Sequence, residues 1–390
     1  MPIKEHLKRL EEFARERRYS GYDPYDALNS PFLRAATFGT KWGRITLTQI
    51  VRRCPINLRP LLGIPPGENP KALGLFLEGY ARLHRLAPRG EYAEAADYLL
   101  DRLDSLRTSS SSGHGWGYNF DWQSRAFFLP KFTPTIVCSS FVAHALLDTY
   151  EAFGRKDALE LALPVADFIL YDLNRTIEAD TFCFSYSARD HYAVHNANLL
   201  GASVLIRLHR VTGTAIFREA ALSALAYSMR HQHDDGSWCY SERCGWIDSF
   251  HTGFNLEAIR RFLLVGEARG YREAYTRGVR FYVDHFFMPD GLPKYYANSS
   301  YPADIHSAAE AICFLAGEGE PLSELVDLVL RWTLVNLADA RGFFYFRKAP
   351  HLTNRIPYMR WSQAWMFRAL TMYAAVAQPE HVGALSGAAK

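Results

Sequence analysis

No stretch of this chain approaches the ~18 uninterrupted apolar residues that span a bilayer, so no transmembrane segment is expected. The opening Met-Pro-Ile-Lys-Glu-His has no apolar signal region behind it, and a cytoplasmic location is the simplest expectation. Net charge is only +3, and the cluster Arg15-Glu16-Arg17-Arg18 holds an acid within it, so no electrostatic footprint for a nucleic acid is read. The six cysteines (Cys54, Cys138, Cys183, Cys239, Cys244 and Cys313) lack the paired spacing of a disulfide scaffold. Cys138 and Cys313 fall in apolar helical stretches, where a free thiol behaves as a small hydrophobe. There is no glycine-rich phosphate loop, Gly-x-Ser-x-Gly elbow or dinucleotide fingerprint, so no cofactor is expected. Nothing in the sequence sets an oligomeric state.

What the chain does have is a repeat. Asp180, Asp235 and Asp290 open aromatic-rich turns and stand 55 residues apart. Looser copies run Gly115-Trp-Gly-Tyr118 and Gly342-Phe-Phe-Tyr345. A fixed period of this length marks one supersecondary unit used repeatedly. After each turn comes a helix apolar on nearly all sides, clearest from Val194 to Arg210, with counterparts starting near Pro70, Pro134, Ser249, Asp304 and Met359. A helix apolar all round is buried all round. Asn69-Pro70 and Thr133-Pro134 read as an N-cap followed by proline, and Gly154, Gly213, Gly266 and Gly317 as C-terminal stops.

Between these lie helices with one apolar stripe. From Thr214 to Gln232 the stripe is Phe217, Ala221, Leu222, Leu225 and Met229. Similar segments cover 91–106, 156–172, 268–286, 321–337 and 3–18. Fully buried helices alternating with half-buried ones predict two concentric rings, an all-α (α/α)6 toroid with short hairpins before the inner helices. We read residues 1–377 as one toroid domain, and 378–390, small and polar, as a flexible tail.

The turns and inner-helix starts of such a ring open on one cavity. His195, His251 and His306 recur at intervals of 56 and 55 residues, with Asp248 and Asp304 just ahead of two of them. They are the candidate catalytic groups, together with Tyr240 and Tyr296, because histidine serves as acid or base near neutrality and a phenol can donate a proton. Trp116, Tyr118, Trp122, Tyr186, Trp238 and Tyr295 are candidate stacking groups, and Asn196 a polar contact. The first turn adds Asp121 and Arg125; the last adds Tyr358, Arg360 and Trp361. Arginine beside tryptophan suits an anionic ring such as a uronic acid. Cys239, Cys244 and His251 could together hold zinc, but they match no strong signature, and no metal is expected.

Two resemblances follow from these residues. Met229 to Trp238 resembles the glutamine–tryptophan repeat of terpenoid cyclases, and Asp248 to Leu256 the histidine segment of protein prenyltransferase β-subunits. The cyclase acid motifs and the prenyltransferase Asp-x-Cys pair are both missing, so this likeness implies the toroid but not those reactions. Asn69-Pro-Lys-Ala-Leu-Gly74, Gly117 to Arg125 and Arg360 to Trp365 resemble proteins associated with bacterial surface-polysaccharide synthesis. These share the six-hairpin toroid of glycosidases, polysaccharide lyases, sugar 2-epimerases and uronyl C5-epimerases. The resemblance implies a glycan or sugar-containing substrate. The expected activity is a uronyl epimerase or lyase-type proton abstraction, with glycoside hydrolysis, a non-catalytic glycan- or lipid-binding cup and a cyclase-like enzyme as alternatives. In the proton-abstraction reading His251 or His306 is the base, Tyr240 or Tyr296 the donor, and Arg360 or Arg125 the cation. For hydrolysis the acids available are Asp121, Asp248, Asp304, Glu242 and Glu310.

Overall fold

The computed structural model describes residues 3–241 and 244–377. Glu242 and the expected tail 378–390 lie outside the described residues. The first outer helix, α1 (Ile3–Glu16), is followed by two short helices, α2 (Pro31–Ala36) and α3 (Lys41–Arg53). Inner and outer helices then alternate: α4 (Pro70–Leu86) with α5 (Gly90–Ser105), and α6 (Ile136–Phe153) with the broken pair α7 (Lys156–Ala162) and α8 (Pro164–Asp167). They continue with α9 (His195–Thr212) and α10 (Ala215–Arg230), α11 (Ser249–Leu264) and α12 (Arg272–Phe286), then α13 (Ile305–Glu318) and α14 (Ser323–Leu337). The last inner helix enters through a wide turn at Met359–Ala364 and runs on as α15 (Trp365–Val376).

The inner helices pack in the cyclic order α4, α6, α9, α11, α13, α15 and back to α4, and α1 covers α15. This closes the (α/α)6 toroid. The sheets are hairpins of two or three short strands ahead of inner helices. No helix among the described residues is long and apolar enough to cross a membrane.

The repeated aspartate and glycine have a mechanical role. The Asp235 carboxylate accepts from Ser237 N, and Asp290 from Leu292 N, each closing the turn. The next residues, Gly236 and Gly291, adopt φ of 92° and 88°, which glycine reaches at little steric cost. A Cβ there would sit 2.4 Å from the carbonyl of Arg277 on α12 or of Leu328 on α14. Each turn thus presses its backbone against the next outer helix, and Gly342 does the same against Arg9 of α1. The period therefore spaces the outer ring.

Two expected helix ends shift. The N-cap of α6 is Thr135, whose hydroxyl accepts from Cys138 N, rather than Thr133. Gly317 lies inside α13, where its missing Cβ leaves room for the Arg260 guanidinium, and the cap falls to Gly319.

Candidate functional site

The N-cap residues of the inner helices are Asn69, Thr135, Val194, Asp248, Asp304 and Tyr358. Two positions further on stand Lys71, Val137, Asn196, Phe250, His306 and Arg360. All six line one cavity of about 220 Å³. Helices set radially around an axis present the same offset from the cap to that axis, because direction advances by about 100° per residue. Offset from the cap therefore decides which side chains reach the cavity.

His195 is one residue past its cap, and the expectation that it faces the cavity fails for that reason. Its ring turns toward α10, with Nδ1 3.4 Å from Ser228 Oγ and His231 beside it at 5.3 Å. Burial pushes its pKa down to about 3, with His231 and His233 adding to the effect. The spacing of 195, 251 and 306 matched offsets of one, three and two residues, so the three histidines are not equivalent.

His251 and His306 do meet at the cavity, in different surroundings. Asp248 caps α11 by accepting from His251 N at 3.0 Å, and its second oxygen lies 2.6 Å from His251 Nδ1. The pair fixes the tautomer with hydrogen on Nδ1, leaving Nε2 as the nitrogen able to take a proton. His306 packs among Trp361, Trp365 and Phe250, with ring centroids 4.4, 4.4 and 4.8 Å away. Neither of its ring nitrogens has a hydrogen-bond partner among the described residues. Burial, reinforced by the charges of Lys71 and Arg360, drives its pKa well below the usual histidine range, so it is neutral. Asn196 Oδ1 is likewise buried without a partner. Leaving such groups unsatisfied costs about 1–3 kcal/mol each, which a hydroxyl-rich ligand would recover.

Lys71 joins the site although its Asn69-Pro70-Lys71 segment carries no catalytic signature in the sequence. Counting two residues from the Asn69 cap would have found it. Its Nζ lies 4.0 Å from the Phe141 ring centroid and farther from those of Trp365 and Phe254, at 5.1 and 5.3 Å. Burial, then the positive charge of Arg360, pull its pKa far below the ordinary lysine value.

The turns before the inner helices supply most of the aromatic wall, Tyr118, Phe120, Trp122, Tyr186, Tyr240, Trp246, Tyr295 and Tyr296, and the segment between α1 and α2 adds Tyr25. Tyr118 and Tyr186 join hydroxyls at 3.1 Å, and Tyr240 stacks on Trp246 with centroids 4.9 Å apart. Burial raises the Tyr118 hydroxyl to about 12 and pushes Tyr240 higher still, so both remain protonated donors.

Arg360 lines the cavity but is not a free anion receptor. Its guanidinium donates twice to Asp23, at 2.6 and 2.8 Å, which neutralises it and ties residues near the chain start to the last inner helix. Arg125 is exposed on its hairpin and does not line the cavity. Asp121 lies on a neighbouring surface cleft, accepting from Lys131 N. Asp304 is wholly buried, paired with Arg347 and bonded by Trp361 Nε1 and His306 N. Trp116 and Trp238 are core anchors, their indole N–H groups donating to Leu103 O and Ser228 O. Tyr358 is the cap residue and is covered by Arg59 and Phe346. Cys239 and Cys244 are drawn to different partners, His233 and Tyr192, at 3.9 and 3.1 Å.

About two turns deeper, Arg368 is held by Glu78 and Glu257 at 3.0 and 2.9 Å, with Glu310 at 3.5 Å. Burial, then the charge of Glu257, raises the Glu310 carboxyl well above the usual carboxylate range.

No protein-family model matches the sequence, and no curated protein is significantly similar to it. Solved structures do share the fold. Cellobiose 2-epimerase from Bacillus thermoamylovorans superposes with a TM-score of 0.63 at 13% identity, over 79% of this chain and 87% of that one. A sugar epimerase from a ruminal bacterium gives 0.62 at 13% identity, over 81% and 90%. The GH76 α-mannanase of Bacteroides thetaiotaomicron gives 0.59 at 11% identity, over 80% and 87%. At such identities the likeness is one of fold.

Proposed function

We propose that this chain is a carbohydrate-active enzyme that moves a proton at a sugar carbon next to a carbonyl, in the manner of an epimerase or isomerase. The observation that carries the reading is the Asp248–His251 pair at the wall of an aromatic, hydroxyl-ready cavity. His251 Nε2 takes the proton from carbon, and the C–H electron pair moves to the carbonyl carbon–oxygen unit as an enolate or enediol. Asp248 stabilises the imidazolium so formed. Protonated Tyr118 and Tyr240, or Lys71, donate to the developing oxyanion. When the enediol turns its other face to His251, the proton returns to the same carbon and the oxygen gives its proton back to the donor, which yields the epimer. When the proton goes instead to the former carbonyl carbon, the neighbouring hydroxyl gives its proton to the donor as it becomes the new carbonyl, which yields the isomer.

Neutral sugars suit the cavity better than uronates, because Asp23 already neutralises Arg360. Two proteins of the same fold, a cellobiose 2-epimerase and a D-mannose isomerase, are an epimerase and an isomerase of neutral sugars, which supports this reading. Among the described residues, hydrolysis does not find its pair of acids. Among the described residues Asp248 is the one carboxylate lining the cavity, and it is held by its helix N-terminus and His251.

The test is incubation of the chain in deuterated water with a panel of neutral reducing sugars and of uronate-containing glycans. Deuterium uptake at the carbon beside the carbonyl, with a new epimer or ketose by NMR, supports the reading. Uptake confined to uronate C5, or an unsaturated product, would move the assignment to the uronyl epimerase or lyase. Binding without exchange would leave a glycan-binding cup.

A further inference from the structure

Residues 27–67 contain no Asp or Glu. They carry Arg34, Lys41, Arg44, Arg52, Arg53 and Arg59, of which only Arg59 is buried against a carboxylate, that of Asp26. The same segment exposes large apolar side chains: Phe38 at 89%, Leu61 at 84%, Phe32 at 72% and Trp42 at 66%, together with Ile50 and Ile56. Scattered single hydrophobes on a surface need no explanation, but a concentration of this kind does.

The arrangement is ordered by the fold. Along α3, Trp42, Thr46, Ile50 and Arg53 recur at helical spacing and all are exposed, whereas Thr48 and Val51 are buried against the toroid. Ser30 Oγ donates to Leu62 O at 2.6 Å, which brings the start of α2 and Phe32 to the Leu61–Gly63 turn. Arg44 donates to Gln123 of the first aromatic hairpin, and the Arg52 guanidinium stands 4.8 Å from the ring centroid of Tyr25, a cavity residue. The patch therefore adjoins the cavity mouth.

We propose that this segment docks the protein on the surface of an anionic lipid bilayer, with Phe38 and Trp42 entering the headgroup layer and Arg34, Lys41 and Arg53 meeting lipid phosphates. Aromatic and aliphatic side chains interleaved with cations, in a segment with no acid of its own, are what an interfacial segment requires. Glu68 and Asp121, which share a cleft with Arg34, are held by Arg102 and by Lys131 N. A second copy is a poor occupant, since a two-fold contact through this face would set cations against cations. Single-stranded nucleic acid could use the cations with Phe32, Phe38 and Trp42, but it would leave the aliphatic Ile50, Ile56 and Leu61 in water, whereas a bilayer interface takes them in.

Flotation of the full chain with phosphatidylcholine vesicles, with and without phosphatidylglycerol, tests this. The chain should float with the anionic vesicles only, and less so as salt is raised. Arg34→Ala and Arg53→Ala should each lower the partition coefficient roughly fivefold, and Phe38→Ser with Trp42→Ser by more. All four sites are exposed, so unchanged thermal melts should confirm that the variants fold. Absence of flotation with anionic vesicles at low salt overturns the proposal, as does flotation untouched by the Phe38→Ser/Trp42→Ser pair. Two further results would assign the patch elsewhere and also overturn it. One is binding of a single-stranded RNA oligomer without vesicle binding; the other is conversion of a dimer to a monomer by the same pair in light scattering.

Discussion

Asp248 grips His251 twice, through the backbone N–H at 3.0 Å and through Nδ1 at 2.6 Å. One carboxylate thus starts the helix and orients the imidazole on it, so the ring cannot turn without loosening the first turn of α11. A rigid element holds the proposed base more tightly than a loop would. The tyrosines that surround it come from successive turns, which are packed against the outer ring.

His251→Asn should abolish solvent deuterium exchange into the sugar, with a loss of about 10²–10⁴-fold in turnover, the range for a positioned acid–base group. Asp248→Asn keeps an N-cap oxygen but removes the charge that stabilises the imidazolium. Its turnover should fall roughly a hundredfold while KM and the thermal midpoint change little. Equal loss of stability and turnover in Asp248→Asn would reduce Asp248 to a helix cap.

Lys71 yields a pH prediction. Its pKa in the folded chain lies well below its ordinary value of 10.5, chiefly through burial. Between those two values the unfolded chain binds a proton that the folded chain does not, so stability rises with pH. The slope from this group alone is about 1.4 kcal/mol per pH unit. Lys71→Met fills the same space without a charge and should flatten that slope in melts taken across the alkaline range. Curves that stay parallel would show that Lys71 is charged in the folded chain, held by the ring faces of Phe141 and Trp365.

The toroid was legible in the sequence because its period is mechanical. The aromatic turns must repeat for the outer helices to be evenly spaced, with Gly236, Gly291 and Gly342 pressed against an outer helix, and burial on all sides must repeat for the inner ones. The cavity was less legible, since aromatic turns vary in length and equal spacing between histidines did not mean equal offset from the caps. That is why His195 was expected at the wall and Lys71 was not. The helices α2 and α3 have no counterpart in the other repeats, so the repeat gave no hint of them. The Arg360–Asp23 pair spans 337 residues of sequence, and no local pattern announces a contact of that range.

The mechanical role of the repeat can be measured. Gly291→Ala would place a methyl 2.4 Å from the Leu328 carbonyl and would hold alanine at φ 88°. We expect a loss of about 3 kcal/mol or more in urea unfolding, from strain and overpacking together. Gly90→Ala, at the start of α5 with nothing within 4 Å of the added carbon, is the control. It should be neutral or stabilise by up to about 1 kcal/mol. Similar losses at both sites would mean that the turns do not space the outer ring.

Arg360 decides between a binding group and a closure. Its guanidinium and Asp23 are almost wholly buried, at 4% side-chain exposure for the arginine and 5% for the aspartate. Removing one partner should leave the other charge stranded, so Asp23→Ala and Arg360→Met should each cost about 3–5 kcal/mol. The double variant should cost clearly less than the sum, giving a coupling energy on a double-mutant cycle. Arg360→Lys keeps the charge but loses the paired donors, for about 1–3 kcal/mol of stability. If Arg360 closes the ring, binding of neutral and acidic sugars should weaken in parallel in Arg360→Lys, tracking the loss of fold stability. Selective loss of acidic ligands, with neutral sugars bound as before, would show that the guanidinium releases Asp23 to take a carboxylate, and would return the uronic acids to first place among the substrates.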